Sequence, residues 1–360
     1  MTVPPPVARL QTMLDDHVDN FGAVGVLVGI DVPRTPPIYV AAGHRVIGGE
    51  PLTAKHMYQI GSQTKTFVAV AILQLCREGV IALDDPVVRC LDLPLDPRIT
   101  VRHLITNTSG VPEFLGRMPE TSLREFIAPR QILASVLGAE PLFTPGERFD
   151  YSNSGWVLAA LVLDAKAPGG YAGFVRDRIF KPAGLDHSYV AQGFPRGRLA
   201  MGYVRGPGAA TPEPADAGFS MSWAYGAGDI VSSADDMLAF FRTLATPDNP
   251  LGFTLDQLTA ERFGAGPKPV HPSSLGGEYA FGLERRVWGG LEVWGHPGRT
   301  PGYGASTWIA PLNGVIVTTA YMYVADVSEA PAVALQRYDP PLVFTQALAT
   351  AHALADRLAA

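Results

Sequence analysis

The stretch Gly61-Ser62-Gln63-Thr64-Lys65-Thr66-Phe67-Val68-Ala69-Val70-Ala71-Ile72 runs from a turn into an apolar helix. Phe67, Val68, Ile72 and Leu75 keep a helical period and Gly79 closes it, so a helix is expected over about Thr64–Gly79. Residues three apart share a helix face, which sets Lys65 beside Ser62. A serine hydroxyl becomes a nucleophile when a base takes its proton, and a lysine amine can do this if its ammonium form is destabilised. Burial at a helix N-terminus destabilises it twice, through lost hydration and through the positive end of the helix dipole. The same N-terminus offers the Ser62 N–H to an oxyanion. Chance does produce the pattern: 15 serines and 5 lysines in 360 residues give about 0.2 such spacings.

On either side of this helix the chain reads as strand and helix. Val7, Leu10, Leu14 and Val18 mark a short amphipathic helix, followed by β-rich runs Val24–Val32 and Ile38–Ile47 across the turn Pro33–Pro37. Residues 80–210 read as helical patches joined by Pro- and Gly-bearing loops. Runs at Tyr279–Trp288, Leu291–Trp294, Ala305–Ile309 and Val315–Tyr323, separated by Gly-Gly, Pro-Gly and Asn313-Gly314 turns, read as an antiparallel meander. A helix over about Pro341–Leu358 closes the chain. The expected class is α+β: a sheet domain from residues 1–75 and 215–360, an inserted mostly helical domain from 76–214, and an active site at their junction. The stretch Gly206–Gly218 reads as a surface loop there.

Two further motifs bear chemistry. In Tyr151-Ser152-Asn153 the phenol can relay a proton, and the amide can accept from a lysine while donating to a substrate carbonyl. The same residues also read as a helix cap, Asn153, behind a half-buried anchor, Tyr151. In His296-Pro297-Gly298-Arg299, Pro297 cannot donate to a ladder, so its strand needs an open side. An open edge beside Ser62 could bind an extended substrate, with Gly298 permitting close approach and the Arg299 N–H as a second oxyanion donor. Trp223 and Tyr225, before Gly226-Ala227-Gly228, are candidates for the pocket lining.

Together and in this order, the three motifs resemble the penicillin-recognising serine hydrolases, in the branch of class C β-lactamases, D-alanyl-D-alanine carboxypeptidases, D-amino-acid amidases and esterases. That family carries S-x-x-K, Y-x-N, then K-T-G or H-x-G. Tyr58–Ser62 through Leu83–Val87, Ile99–Ile105 with Thr108–Pro112, Arg178–Pro182 and Gly228–Asp236 are similar to its other stretches, with Asn107 where it has a second histidine. The resemblance implies a β-lactamase/transpeptidase-like fold, with an antiparallel sheet flanked by helices. It implies Ser62, Lys65 and Tyr151 as catalytic residues, Asn153, His296, Gly298 and Arg299 as substrate-binding ones, and no cofactor. It implies a Ser62 acyl-enzyme acting on a small amide, peptide or ester, as a D-amino-acid peptidase or amidase or a carboxypeptidase. A carboxylesterase or weak β-lactamase on the same fold, and a sensor that binds without turnover, are the alternatives. His296-Pro297 stands where many β-lactamases have a lysine and a hydroxyl, which implies poor β-lactam turnover.

Composition narrows the rest. The 38 Gly and 32 Pro exceed the usual share and imply many turns and loops, with 47% hydrophobic residues to fill a core. A net charge of −6 argues against a nucleic-acid partner or an anionic membrane. The eight histidines show no metal-ligand spacing, and no G-x-S-x-G elbow is present. Cys76 and Cys90 are too few for a disulfide framework. His103 and Asp84-Asp85 read as structural. The start lacks a basic region followed by an apolar one, so a cytoplasmic chain acting on a small molecule or short peptide is expected.

Overall fold

The computed structural model describes residues 5–118, 124–206, 208–264, 278–288, 290–326 and 341–359. The helix α1 (Pro5–Phe21) leads into β1 (Ala23–Asp31) and β2 (Ile38–Gly43), then β3 (Tyr58–Gln59) and α2 (Thr64–Arg77). Short strands follow at β4 (Tyr189–Val190), β5 (Tyr203–Arg205), β6 (Glu213–Pro214), β7 (Ile230–Ser232) and β8 (Phe263–Gly264). The meander comprises β9 (Glu278–Tyr279), β10 (Glu284–Trp288), β11 (Leu291–Thr300), β12 (Tyr303–Ala310) and β13 (Val315–Asp326).

The main sheet runs β2-β1-β13-β12-β11-β10-β9-β8, so the last long strand pairs with the first, Val28 opposite Thr319. This closure explains why β1 is buried at every residue: it is paired on both sides, by β2 and β13, and both faces are covered. Leu10, Leu14, Val26, Val28, Trp308, Val317, Ala347 and Leu348 form one apolar layer, under α1 and the closing helix Pro341–Ala359. The larger layer on the other face takes in α2, Asn153–Lys166 and Ala234–Ala245. Phe67 of α2 stacks on Phe240 there with centroids 3.9 Å apart. Side chains of this size bury about 2–3 kcal/mol each of transfer free energy, so α2 is fixed by packing along its length.

Three details differ from the sequence reading. The run Ile38–Ile47 stops at Gly43, because Gly43 turns at φ 76° and a side chain there would meet the Val24 carbonyl at 2.4 Å. The run Leu291–Trp294 continues through Pro297 to Thr300. Residues 80–210 hold, besides the helices Val101–Ile105, Pro129–Leu133, Asn153–Lys166 and Gly170–Val175, the strands β4 and β5. These are too short to show alternation; β5 is specified by its parallel pairing with Val324–Asp326 of β13.

Candidate active site

Ser62 sits in a 3₁₀ turn, Gly61–Gln63, that feeds α2. The turn packs against the far half of β11. Pairing with β10 ends at Gly295, so from His296 onward β11 keeps β12 on one side and turns the other to Ser62. Two glycines allow that approach. A side chain on Gly61 would lie 2.4 Å from the Arg299 nitrogen, and one on Gly298 would lie 1.8 Å from the Ile60 carbonyl. Gly298, expected to make room for substrate, thus makes room first for the turn that carries Ser62.

Lys65 is fully buried, and its Nζ lies 2.9 Å from Ser62 Oγ, 2.8 Å from Asn153 Oδ1 and 2.6 Å from the Ala227 carbonyl. Loss of hydration lowers its pKa to about 7, against the smaller pull of the Glu113, Glu284 and Asp229 carboxylates. The Tyr151 hydroxyl hydrogen-bonds with Ser62, and burial raises this phenol well above its ordinary value. The Tyr151 ring centroid is 4.9 Å from Lys65 Nζ and 6.1 Å from that of His296.

Tyr151 and Asn153 are placed by the start of the helix Asn153–Lys166, and the cap is Ser152, whose Oγ accepts from the Gly155 N–H at 3.3 Å. The reading of Asn153 as the cap is therefore corrected. Asn153 is instead oriented by Glu113, which accepts from its backbone N–H at 2.7 Å and its side-chain amide at 3.2 Å. Asn107 holds the segment from below, its Oδ1 accepting from the Ser152 N–H and from Trp156 Nε1. His103 caps its own helix together with Thr100, and Asp84 pairs with Arg102.

The cleft is lined by Ser62, Tyr151, Asn153, Trp223, His296, Gly298 and Arg299, with Leu115, Ala227 and Glu284 added. Tyr225 does not line it. Its hydroxyl donates to Asp164 and its ring meets Tyr171 edge-on, behind the Gly226 turn. Adjacency to the glycines misplaced it, because its contacts with Asp164 and Tyr171 lie outside the cleft lining. His296 is 1% exposed, with Nδ1 2.5 Å from the Pro297 carbonyl and Nε2 3.4 Å from the Tyr279 hydroxyl. The sequence reading missed Glu113 and Glu284; the one signal was an acid inside an apolar stretch, as in Val111-Pro112-Glu113-Phe114-Leu115. Among the described residues, no three or more His, Cys, Asp or Glu are grouped to hold a metal, and no helix is long and apolar enough to cross a membrane.

A model of the family described as Beta-lactamase matches residues 12–335. The chain belongs to the beta-lactamase family. Among solved structures of this fold, the D-amino acid amidase from Ochrobactrum anthropi SV3 complexed with L-phenylalanine superposes with a TM-score of 0.83 at 25% identity, covering 98% of this chain and 99% of that one. The D-stereospecific amidohydrolase from Streptomyces sp. gives 0.73 at 27% identity, covering 89% and 95%. Penicillin-binding protein 4* of Bacillus subtilis (strain 168) is 33% identical over 143 residues, 39% of this chain and 32% of that protein. The chain thus matches about a third of the length of that relative.

Proposed function

We propose that this beta-lactamase family chain is a serine hydrolase that cleaves small amides or short peptides bearing a D-configured residue, through an acyl-enzyme on Ser62. The observation that carries the reading is the set of neighbours around Lys65 Nζ. A neutral amine has two hydrogens and one lone pair; the carbonyl oxygens of Asn153 and Ala227 can only accept, and Ser62 Oγ–H can donate. The two hydrogens go to the carbonyls, and the lone pair is left for the serine proton. With its pKa near 7, Lys65 is substantially neutral at physiological pH.

Ser62 then attacks the carbonyl, and the Ser62 and Arg299 N–H groups, brought together by Gly61 and Gly298, receive the oxyanion. Tyr151 keeps its proton at neutral pH, so it acts as the acid that protonates the leaving group and is recharged from Lys65. Water activated by the same pair releases the product. Asn153, held by Glu113, orients Lys65 and faces the substrate. The D-preference is drawn from the amidase and amidohydrolase relatives. His296, almost fully buried, supplies no exposed cation, which supports slow turnover of carboxylate-bearing β-lactams.

The test is a panel of D- and L-amino-acid nitroanilides, a short-chain nitrophenyl ester and a chromogenic cephalosporin. The expected order puts the D-nitroanilide first and the cephalosporin last. Turnover of none of them, with no covalent adduct on Ser62, would replace the enzyme with a ligand-binding sensor.

A further inference from the structure

The turn Gly226-Ala227-Gly228-Asp229 gives Lys65 the Ala227 carbonyl, at 2.6 Å the shortest of the three hydrogen bonds of the amine. A carbonyl flanked by two glycines has soft neighbours on both sides, so its aim needs a latch. Asp229 provides one. Its Oδ1 accepts from the Gly226 N–H at 3.1 Å, closing the turn around Ala227. The Tyr171 hydroxyl donates to the same oxygen at 2.8 Å, and the Tyr171 N–H is itself tied to Asp164 at 2.8 Å. The Asp229 backbone is pinned as well. Its carbonyl accepts from the Ala191 N–H at 2.8 Å, and the Ile230 N–H donates to Thr64 Oγ1 at 3.1 Å. Thr64 directly precedes Lys65, so the turn is fastened to the same stretch of chain as the base.

The acid is costly where it stands. Asp229 is fully buried, and none of the described residues hydrogen-bonds with its Oδ2. Lost hydration pushes its pKa up to about 7, against the hydrogen bonds from Tyr171 and Gly226. A half-satisfied acid in a core lowers stability, and such costs collect where a side chain serves a reactive group. Here the satisfied oxygen closes the turn that faces Lys65.

We propose that Asp229 is a positioning residue for the base: by closing the Gly226–Asp229 turn it aims the Ala227 carbonyl at the Lys65 amine, which keeps the lone pair of the amine turned to Ser62. The inference rests on Lys65 being the base of the acyl-enzyme reaction. With both carbonyls in place, the two amine hydrogens have Asn153 and Ala227 as acceptors. Without Ala227, one hydrogen can turn to Ser62 Oγ and the lone pair points elsewhere. Orientation is at stake, so the effect falls on the rate of Ser62 attack and not on binding.

The concentration dependence of Ser62 labelling by a fluorophosphonate separates the two, as a maximal rate and a half-saturating concentration. Work at about pH 9 keeps Lys65 neutral throughout. Asp229→Ala removes the latch and should lower the maximal rate about tenfold, the size of one lost hydrogen bond, with half-saturation unchanged. Asp229→Asn keeps an acceptor for the Gly226 N–H and should return the rate to within about threefold of the native chain. A native rate in Asp229→Ala, or a loss that Asp229→Asn does not relieve, would overturn the inference. If neither variant folds, Tyr171→Phe removes the hydroxyl that steadies the carboxylate and should lower the maximal rate about threefold; a native rate there would overturn it too. Absence of a Ser62 adduct on the native chain is the separate failure of the acyl-enzyme reading, and this inference falls with it.

Discussion

On one wall of the cleft, Ser62 and Lys65 lie one helical turn apart, and Tyr151 and Asn153 two residues apart at the head of another helix. On the other wall, Glu284 and His296–Arg299 come from two strands whose pairing stops just where the cleft begins. The helical wall is set by local geometry and by a hydrogen-bond set in which each atom has a fixed role. The strand wall is set by register and by a glycine that admits the Ser62 turn. On the proposed function, reaction chemistry falls to the short-range wall and recognition to the long-range one. Substitutions on the first should change rate, and those on the second should change which ligands are accepted.

The sharpest separation comes from Ser62→Ala, which should lower turnover by about 10⁶ for every substrate alike, as loss of a nucleophile does. A substrate-dependent loss would break the division between the walls. Next is Tyr151→Phe, expected to slow turnover by about 10²–10⁴ while labelling of Ser62 stays detectable, since the ring still packs and the proton relay is gone. Near-normal turnover would return Tyr151 to a packing role.

Lys65 carries a stability signature with a definite sign. The folded chain releases its proton near pH 7 and the unfolded chain near 10.5, so the unfolded state binds more protons between those values and folding strengthens as pH rises through that window. Below about pH 7 the buried charge is carried at full cost. Thermal melts of Lys65→Met beside the parent should shift in favour of the variant as pH is lowered from 10 to 7. A pH-independent difference would mean that the amine is not desolvated.

On the strand wall the expected effects are smaller. His296→Lys should tighten binding of carboxylate-bearing ligands by roughly 0.5–2 kcal/mol and leave neutral esters unmoved. Fast parent cephalosporin hydrolysis, indifferent to this change, would sink the argument from charge. Smallest of all, Tyr225→Phe removes a hydroxyl outside the cleft. It should leave the rate within about twofold and cost about 1 kcal/mol of stability through the lost Asp164 contact, read by denaturant titration.

The sequence was legible where structure is local. The Ser62–Lys65 pair, the apolar period of α2 and the meander after residue 279 depend on neighbours within a few positions, and Pro297 announced an open strand side by its missing N–H. Glu113 and Glu284 were not legible, because each matters through a partner far along the chain: Asn153 lies 40 residues from Glu113, and the cleft beside Glu284 exists only once β11 meets α2. Tyr225 was misplaced for a related reason. It is near the cleft in sequence, but its hydroxyl and ring are taken up by Asp164 and Tyr171, partners far along the chain. β3 and β7 are two- and three-residue pieces specified by each other, and no window of sequence contains both.

Lys65 acting as a neutral base for Ser62 is tested most directly by the pH dependence of covalent labelling. Intact-protein mass spectrometry should show one fluorophosphonate adduct, mapped to Ser62, whose formation rate rises through a midpoint near pH 7 as Lys65 gives up its proton. An adduct on another residue, or a labelling rate flat between pH 5 and about 9, would contradict it.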